Sequence, residues 1–96
     1  FVKKYHVNKI FLGVSTIDME NGVMIFYYGD RSTKRAFMAA ADEVVCMADH
    51  SKFGQTAFTH VAGIDEIDTI ITDSGLPEEE AEKYREIGIR VLYAEL

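Results

Sequence analysis

The stretch EVVCMADHSKFG, residues 43–54, decides how the chain folds. Val44-Val45-Cys46-Met47-Ala48 is an apolar run of strand length that stops abruptly at Asp49-His50-Ser51-Lys52, with Gly54 just beyond. An unbroken apolar run bounded by turn residues is what a buried strand needs. Open α/β sheets gather their ligands outside the carboxyl ends of such strands. An acid, an imidazole, a hydroxyl and an amine stand at that end here.

Working outward, Lys9-Ile10-Phe11-Leu12-Gly13-Val14 is a second apolar strand. Residues 15–29 have no regular period, and Glu20-Asn21-Gly22 is a turn signal because Asn-Gly accepts positive φ. Ser32 to about Asp42 predicts a helix: Ser32 or Thr33 can cap it, and Ala36-Phe37-Met38-Ala39-Ala40-Ala41 favours helix strongly. Residues 49–66 read as turn and loop. Ile67-Asp68-Thr69-Ile70-Ile71-Thr72 is a third strand. Pro77 opens a helix whose first turn holds Glu78, Glu79 and Glu80, where the helix dipole favours acids. Ala81, Tyr84 and Ile87 form its inward stripe, Gly88 stops it, and Ile89–Tyr93 is a fourth strand. This rhythm predicts an α/β fold with a mostly parallel sheet and flanking helices. No internal repeat, low-complexity tract or domain linker interrupts it.

Composition narrows the function. The chain has 96 residues, 48% of them hydrophobic, which suits one small domain with a thin core. A net charge of −6 argues against this chain gripping a nucleic-acid backbone, which needs a basic face. The single cysteine, Cys46, lies in the apolar run, so a buried and inert thiol in a reducing, cytoplasmic setting is expected. No run reaches the roughly 18 apolar residues of a membrane span. Phe1-Val2-Lys3-Lys4 lacks an initiator Met and a signal-peptide core, and an excised fragment is expected. His6, His50 and His60 have no metal-ligand spacing, and neither a glycine-rich dinucleotide motif nor a phosphate-binding P-loop motif is present, so no cofactor is expected.

The candidate site residues follow from position. Lys52 can hold an anion such as phosphate, with Asp49 and Ser51 beside it; the alternative is an ordinary solvated loop. Ser15-Thr16-Ile17-Asp18 follows the first strand in the same way. If the two strands are parallel neighbours, Asp18 and Lys52 rise at one edge. Asp73-Ser74-Gly75 suits a turn that caps the following helix. Phe26, Tyr27 and Tyr28 suggest a stacking platform, but packing or interface roles are expected of them.

Three segments together resemble a known family: IFLGVSTIDMENGV, KRAFMAAADEVVCMADHSKFGQTAF and IDEIDTIITDSGLP. They are similar to the carboxyl half of the sensor domain of DeoR-type transcriptional regulators, from about Lys9 to Leu92. The most specific pieces are Asp49-x-Ser51-Lys52-Phe53-Gly54 and Ile67–Asp73. The resemblance implies a fold like that of ribose-5-phosphate isomerase and an effector that is a phosphorylated sugar. It implies operator DNA bound only through an amino-terminal helix-turn-helix outside this chain, and repression of a sugar-uptake or catabolic operon. It also implies a first half of the sensor, with a phosphate loop, outside residues 1–96, so that this chain forms one wall of the effector pocket. Such regulators work as homo-oligomers, and effector binding shifts the population of DNA-binding arrangements.

The resemblance also lets an isomerase be weighed. Where isomerases carry Gly-Ala-Asp-Glu, this chain has Gly13-Val14-Ser15-Thr16, and their catalytic glutamate falls on Lys34. A lysine there cannot replace a carboxylate as general base. Acids lost and lysine kept imply binding without turnover. The effector-binding set implied is Asp18 for sugar hydroxyls, Lys52 for an anionic oxygen, Asp49 and Ser51 beside it, and Lys34 as a further cation. Asp49 has two other readings, as an ion-pair partner of Lys52 or as a cap for the loop. Ser15 stands where many family members have Asp.

Overall fold

The computed structural model describes residues 6–94, so the reading made of Phe1–Lys4 lies outside the described residues, as does the side chain of Tyr28. A four-stranded parallel sheet forms the centre, with strands in the order β1 (Val7–Gly13), β4 (Ala41–Met47), β6 (Thr69–Asp73), β7 (Arg90–Ala94). The strand that the opening stretch predicts is β4, and it takes an inner position. Val44, Val45 and Cys46 are all buried because β1 and β6 flank the strand and the chain covers both faces.

The connections differ from a plain alternation of strand and helix. Between β1 and β4 the chain makes a hairpin, β2 (Thr16–Asp18) and β3 (Gly22–Ile25), and then helix α1 (Arg31–Ala40). Between β4 and β6 it adds β5 (Thr59–Ala62), which pairs with β3. Strands β2, β3 and β5 make a separate antiparallel sheet. Helix α2 (Glu78–Glu86) joins β6 to β7. The second sheet corrects the expectation of irregular chain over 15–29 and loop over 49–66. Its strands are three or four residues long, too short to show a period. What holds them is burial: Ile17, Val23, Val61 and Ala62 are almost fully inaccessible and share one core cluster with Val44, Cys46, Ile70 and Tyr84.

Local signals account for the joints. Gly22 takes φ +71 at the hairpin, as the Asn-Gly pair predicts, and Gly88 takes φ +95 just after α2. Helix α1 begins one residue earlier than expected, with Asp30 rather than Ser32 or Thr33 at the N-cap position, and runs directly into β4 at Ala41. Arg31 Nε donates to the His60 carbonyl (2.8 Å), and Arg35 Nη1 to the Val61 carbonyl (3.3 Å) and Glu66 (2.7 Å). These arginines, one turn apart, tie α1 to β5, an edge strand whose carbonyls would otherwise be unpaired. In α2, Ala81 and Tyr84 are buried as expected, and the Tyr84 ring meets Phe53 edge to face at 5.6 Å. Ile87 is 49% exposed instead, because the helix ends at Glu86 and Ile87 leaves the helical path (φ −97, ψ 12).

Candidate functional site at the carboxyl edge of the sheet

Strands β1 and β4 are parallel neighbours in a register that sets Gly13 opposite Met47. The segments leaving them, Val14-Ser15 and Ala48-Asp49, therefore emerge side by side. They border a cavity of about 330 Å³ completed by Phe26 and Tyr27 after β3, Asp30 and Lys34 of the α1 end, and Lys52. This is the sheet edge at which open α/β folds hold ligands.

The loop after β4 is built rigidly. Asp49 Oδ1 accepts from Ser51 N (2.9 Å) and also from the Ser51 hydroxyl, capping a single 3₁₀ turn over His50–Lys52. These hydrogen bonds hold the Asp49 carboxyl below its ordinary range. Gly54, at φ +72, turns the chain, and its N–H donates to the Ile17 carbonyl (2.9 Å), docking the loop on β2. On the other side stands Asp73, at the carboxyl end of β6. It accepts from Gly75 N (2.8 Å), His50 N (3.1 Å) and, through Oδ1, pairs with His50 Nδ1 (2.8 Å). The Gly75 N–H is the largest of the influences that lower the Asp73 pKa, and the His50 contacts add to it. A Cβ on Gly75 would lie 2.4 Å from His50 Nδ1, so glycine there is what lets the imidazole sit down on the turn.

The structure sorts the predicted site residues. Lys34, Asp49 and Lys52 line one cavity. The Lys52 ammonium forms no hydrogen bond or ion pair with another described residue, whereas Lys34 Nζ donates to the Gly13 carbonyl at 3.0 Å and so braces α1 against β1. Asp49 caps the loop, one of the three roles open to it, and forms no ion pair with Lys52 among the described residues. Ser51 serves the same cap and does not line the cavity. Asp18 does not line the cavity with Lys52: it ends β2 in the hairpin, and its Oδ2 accepts from Glu20 N, Asn21 N and Asn21 Nδ2. Short-range hydrogen bonds to the following turn take up its carboxylate. Asp73 is likewise not a cap of α2, whose N-cap position is Pro77 with no side-chain cap; it braces the neighbouring loop instead.

Residues that sequence reasoning passed over also reach the cavity. Asp30 lines it with a carboxylate that makes no capping hydrogen bond. Phe26 and Tyr27, expected to pack or form an interface, are 52% and 76% exposed at its rim. Asp49, His50 and Asp73 each offer a donor atom within 4.8 Å of the others, the only such cluster among the described residues. All three already serve in the loop's own hydrogen bonds, so bracing accounts for their meeting. Cys46 lies beneath the site, fully buried, and burial pushes its thiol pKa up to about 12.

The chain's kinship rests on its sequence. The family model described as the DeoR C-terminal sensor domain matches residues 1–74. The chain belongs to the DeoR sensor-domain family. It is 42% identical over 72 residues to the HTH-type transcriptional repressor GlcR of Bacillus subtilis, covering 75% of this chain and 28% of that protein. It is 32% identical over 77 residues to the glycerol-3-phosphate regulon repressor of Escherichia coli K12, covering 80% and 31%. It is 32% identical over 76 residues to the transcriptional repressor AccR of Agrobacterium fabrum, covering 78% and 30%. The DeoR sensor chain thus spans about a third of the length of the curated relatives it matches. The family and these relatives are regulators of transcription, and the cavity lies within the matched residues. No helix among the described residues is long and apolar enough to cross a membrane.

Proposed function

We propose that this chain is the effector-binding part of a DNA-binding transcriptional repressor of a sugar-uptake or catabolic operon, and that its effector is a phosphorylated sugar. The observation that carries the reading is Lys52. Its ammonium has no partner among the described residues, and it is held on a loop braced from both sides, at the rim of a cavity on the carboxyl edge of the sheet. A primary ammonium in that position suits a phosphate oxygen. Asp30 suits sugar hydroxyls, since a carboxylate accepts them strongly. Asp18 stays in the proposal only as a support of the hairpin beside the site.

The sheet geometry supports a shared pocket. Among the described residues β1 pairs only with β4, and Phe11 and Phe37 near its open side are 57% and 41% exposed. The strand order runs in one direction without reversal, so the crevice that usually holds ligand arises only if further strands continue beyond β1. The first half of the sensor would supply them, with a helix-turn-helix before it to read operator DNA. Effector binding would then shift a homo-oligomer between DNA-competent and DNA-incompetent arrangements, in the cytoplasm and without turnover.

The test is calorimetry on the intact regulator containing this chain, with hexose, pentose and triose phosphates beside their unphosphorylated sugars. Phosphate-dependent binding weakened at least tenfold by Lys52→Ala, about 1.4 kcal/mol, is expected. A folded protein that binds no member of the panel refutes the reading.

A further inference from the structure

We propose that the Phe26–Tyr27 rim seats the apolar face of a sugar ring, so that the effector is a cyclic sugar phosphate and not an open-chain polyol phosphate. The inference rests on the sugar-phosphate reading above and narrows its substrate class.

Phe26 and Tyr27 occupy the segment between β3 and α1, and both line the cavity that holds Lys34 and Lys52. The segment is anchored: Asp30 N donates to the Tyr27 carbonyl at 3.2 Å, closing a turn directly before α1. The Phe26 ring is anchored too. It meets Phe58 edge to face, with centroids 6.1 Å apart and planes at 69°. The three aromatics nonetheless stay open, Phe58 at 86% exposure. Exposed aromatics grouped in one place mark a surface that something else covers.

The company they keep says what covers them. The cavity also carries charge, with Lys34 and Lys52 beside Asp30 and Asp49 among smaller apolar residues. An occupant must therefore offer an anion, hydroxyls and an apolar face together. A pyranose or furanose phosphate does so: a face of its ring presents C–H groups whose partial positive charge the π cloud of an aromatic ring attracts. A flexible polyol phosphate has the same polar groups but no fixed apolar face, and it loses rotational freedom on binding. A cavity of about 330 Å³ accommodates a monosaccharide phosphate.

The experiment compares matched ligands on the intact regulator by calorimetry: glucose 6-phosphate against glucitol 6-phosphate, and fructose 6-phosphate and ribose 5-phosphate against glycerol 3-phosphate. At least one cyclic phosphate is expected to bind tenfold or more tightly than its open-chain counterpart. Phe26→Ala and Tyr27→Ala should each reduce that ratio at least threefold, and Phe26→Tyr should keep it near the wild-type value. An equal preference in wild type, or a ratio untouched by both alanine variants, overturns the proposal while leaving phosphate sensing intact. Variants that change the oligomeric state by light scattering but keep the ratio overturn it and assign the rim to contact between copies. Absence of binding to every phosphate overturns the sensor reading and this inference together.

Discussion

At the scale of single residues, the site depends on which polar groups the fold leaves unspent. Asp18, Asp49, Ser51 and Asp73 are all polar residues at the ends of strands, yet each is consumed within a few residues of chain or by a neighbouring loop. Among the described residues the Lys52 ammonium is left over, and so is the carboxylate of Asp30. The motif Asp49-x-Ser51-Lys52 was legible as a candidate site because its position after β4 follows from the apolar run. The division of labour inside it was not, because a carboxylate that caps a turn and one that binds a sugar look the same in a sequence. Cys46 gives a direct check on how tightly the floor of the site is closed. With a pKa pushed up to about 12 by burial, its thiol should not react with a neutral-pH disulfide reagent in the native protein. Reaction should appear only with denaturant, in step with loss of circular dichroism; fast labelling of the native state would show that the sheet opens locally.

At the scale of elements, the β2–β3 hairpin and the loop after β4 hold each other. The hairpin positions Ile17 to receive Gly54 N–H, and its turn is closed by Asp18 and by Gly22. Gly22 is constrained twice. Its φ is +71, and a Cβ there would stand 2.2 Å from the Ala62 carbonyl oxygen across the β3–β5 pair. Gly22→Ala should therefore destabilise the protein by about 2–4 kcal/mol, combining left-handed strain with a backbone clash. The denaturation midpoint should fall accordingly, and an unchanged midpoint would show that β5 does not pack on the hairpin as described. The turn itself was legible from Asn21-Gly22. The partner strand β5 was not, since Thr59-His60-Val61-Ala62 has neither a period nor a marked preference.

At the scale of the whole molecule, carboxylates stitch separate elements together and set its response to acid. Asp73 joins the β6 end to the β4 loop, and Glu66 joins the turn before β6 to α1 through Arg35. Both have lowered pKa values, Asp73 chiefly through the Gly75 N–H and Glu66 chiefly through Arg35. A carboxyl whose folded pKa lies below its ordinary value adds stability above that value, near 3.8 for Asp, and loses it as pH falls through the folded one. Asp73→Asn should thus lower the melting temperature at pH 7, and its deficit against wild type should shrink below pH 4. Melting curves from pH 7 to 3 measure the gap; a deficit constant across that range would remove ionised Asp73 from the brace. Water still reaches part of the half-buried Asp73 carboxylate, so the effect is a modest one.

The parallel order of the central strands and the place of the 49–54 loop followed from the sequence alone. A continuous apolar run has no stable place but a sheet interior, and the chain must leave that interior at a polar turn. The helix of residues 31–40, the stop at Gly88 and the turn at Gly22 were likewise local matters, decided by backbone freedom and helix preference over a few residues. Tertiary structure alone decided the second sheet, the bracing of His50 by Asp73, and the gathering of Phe26, Tyr27 and Asp30 around the cavity. These join residues as far apart as Val23 and Ala62 through burial and hydrogen bonds, whose energies depend on what meets in space and leave no periodic trace along the chain.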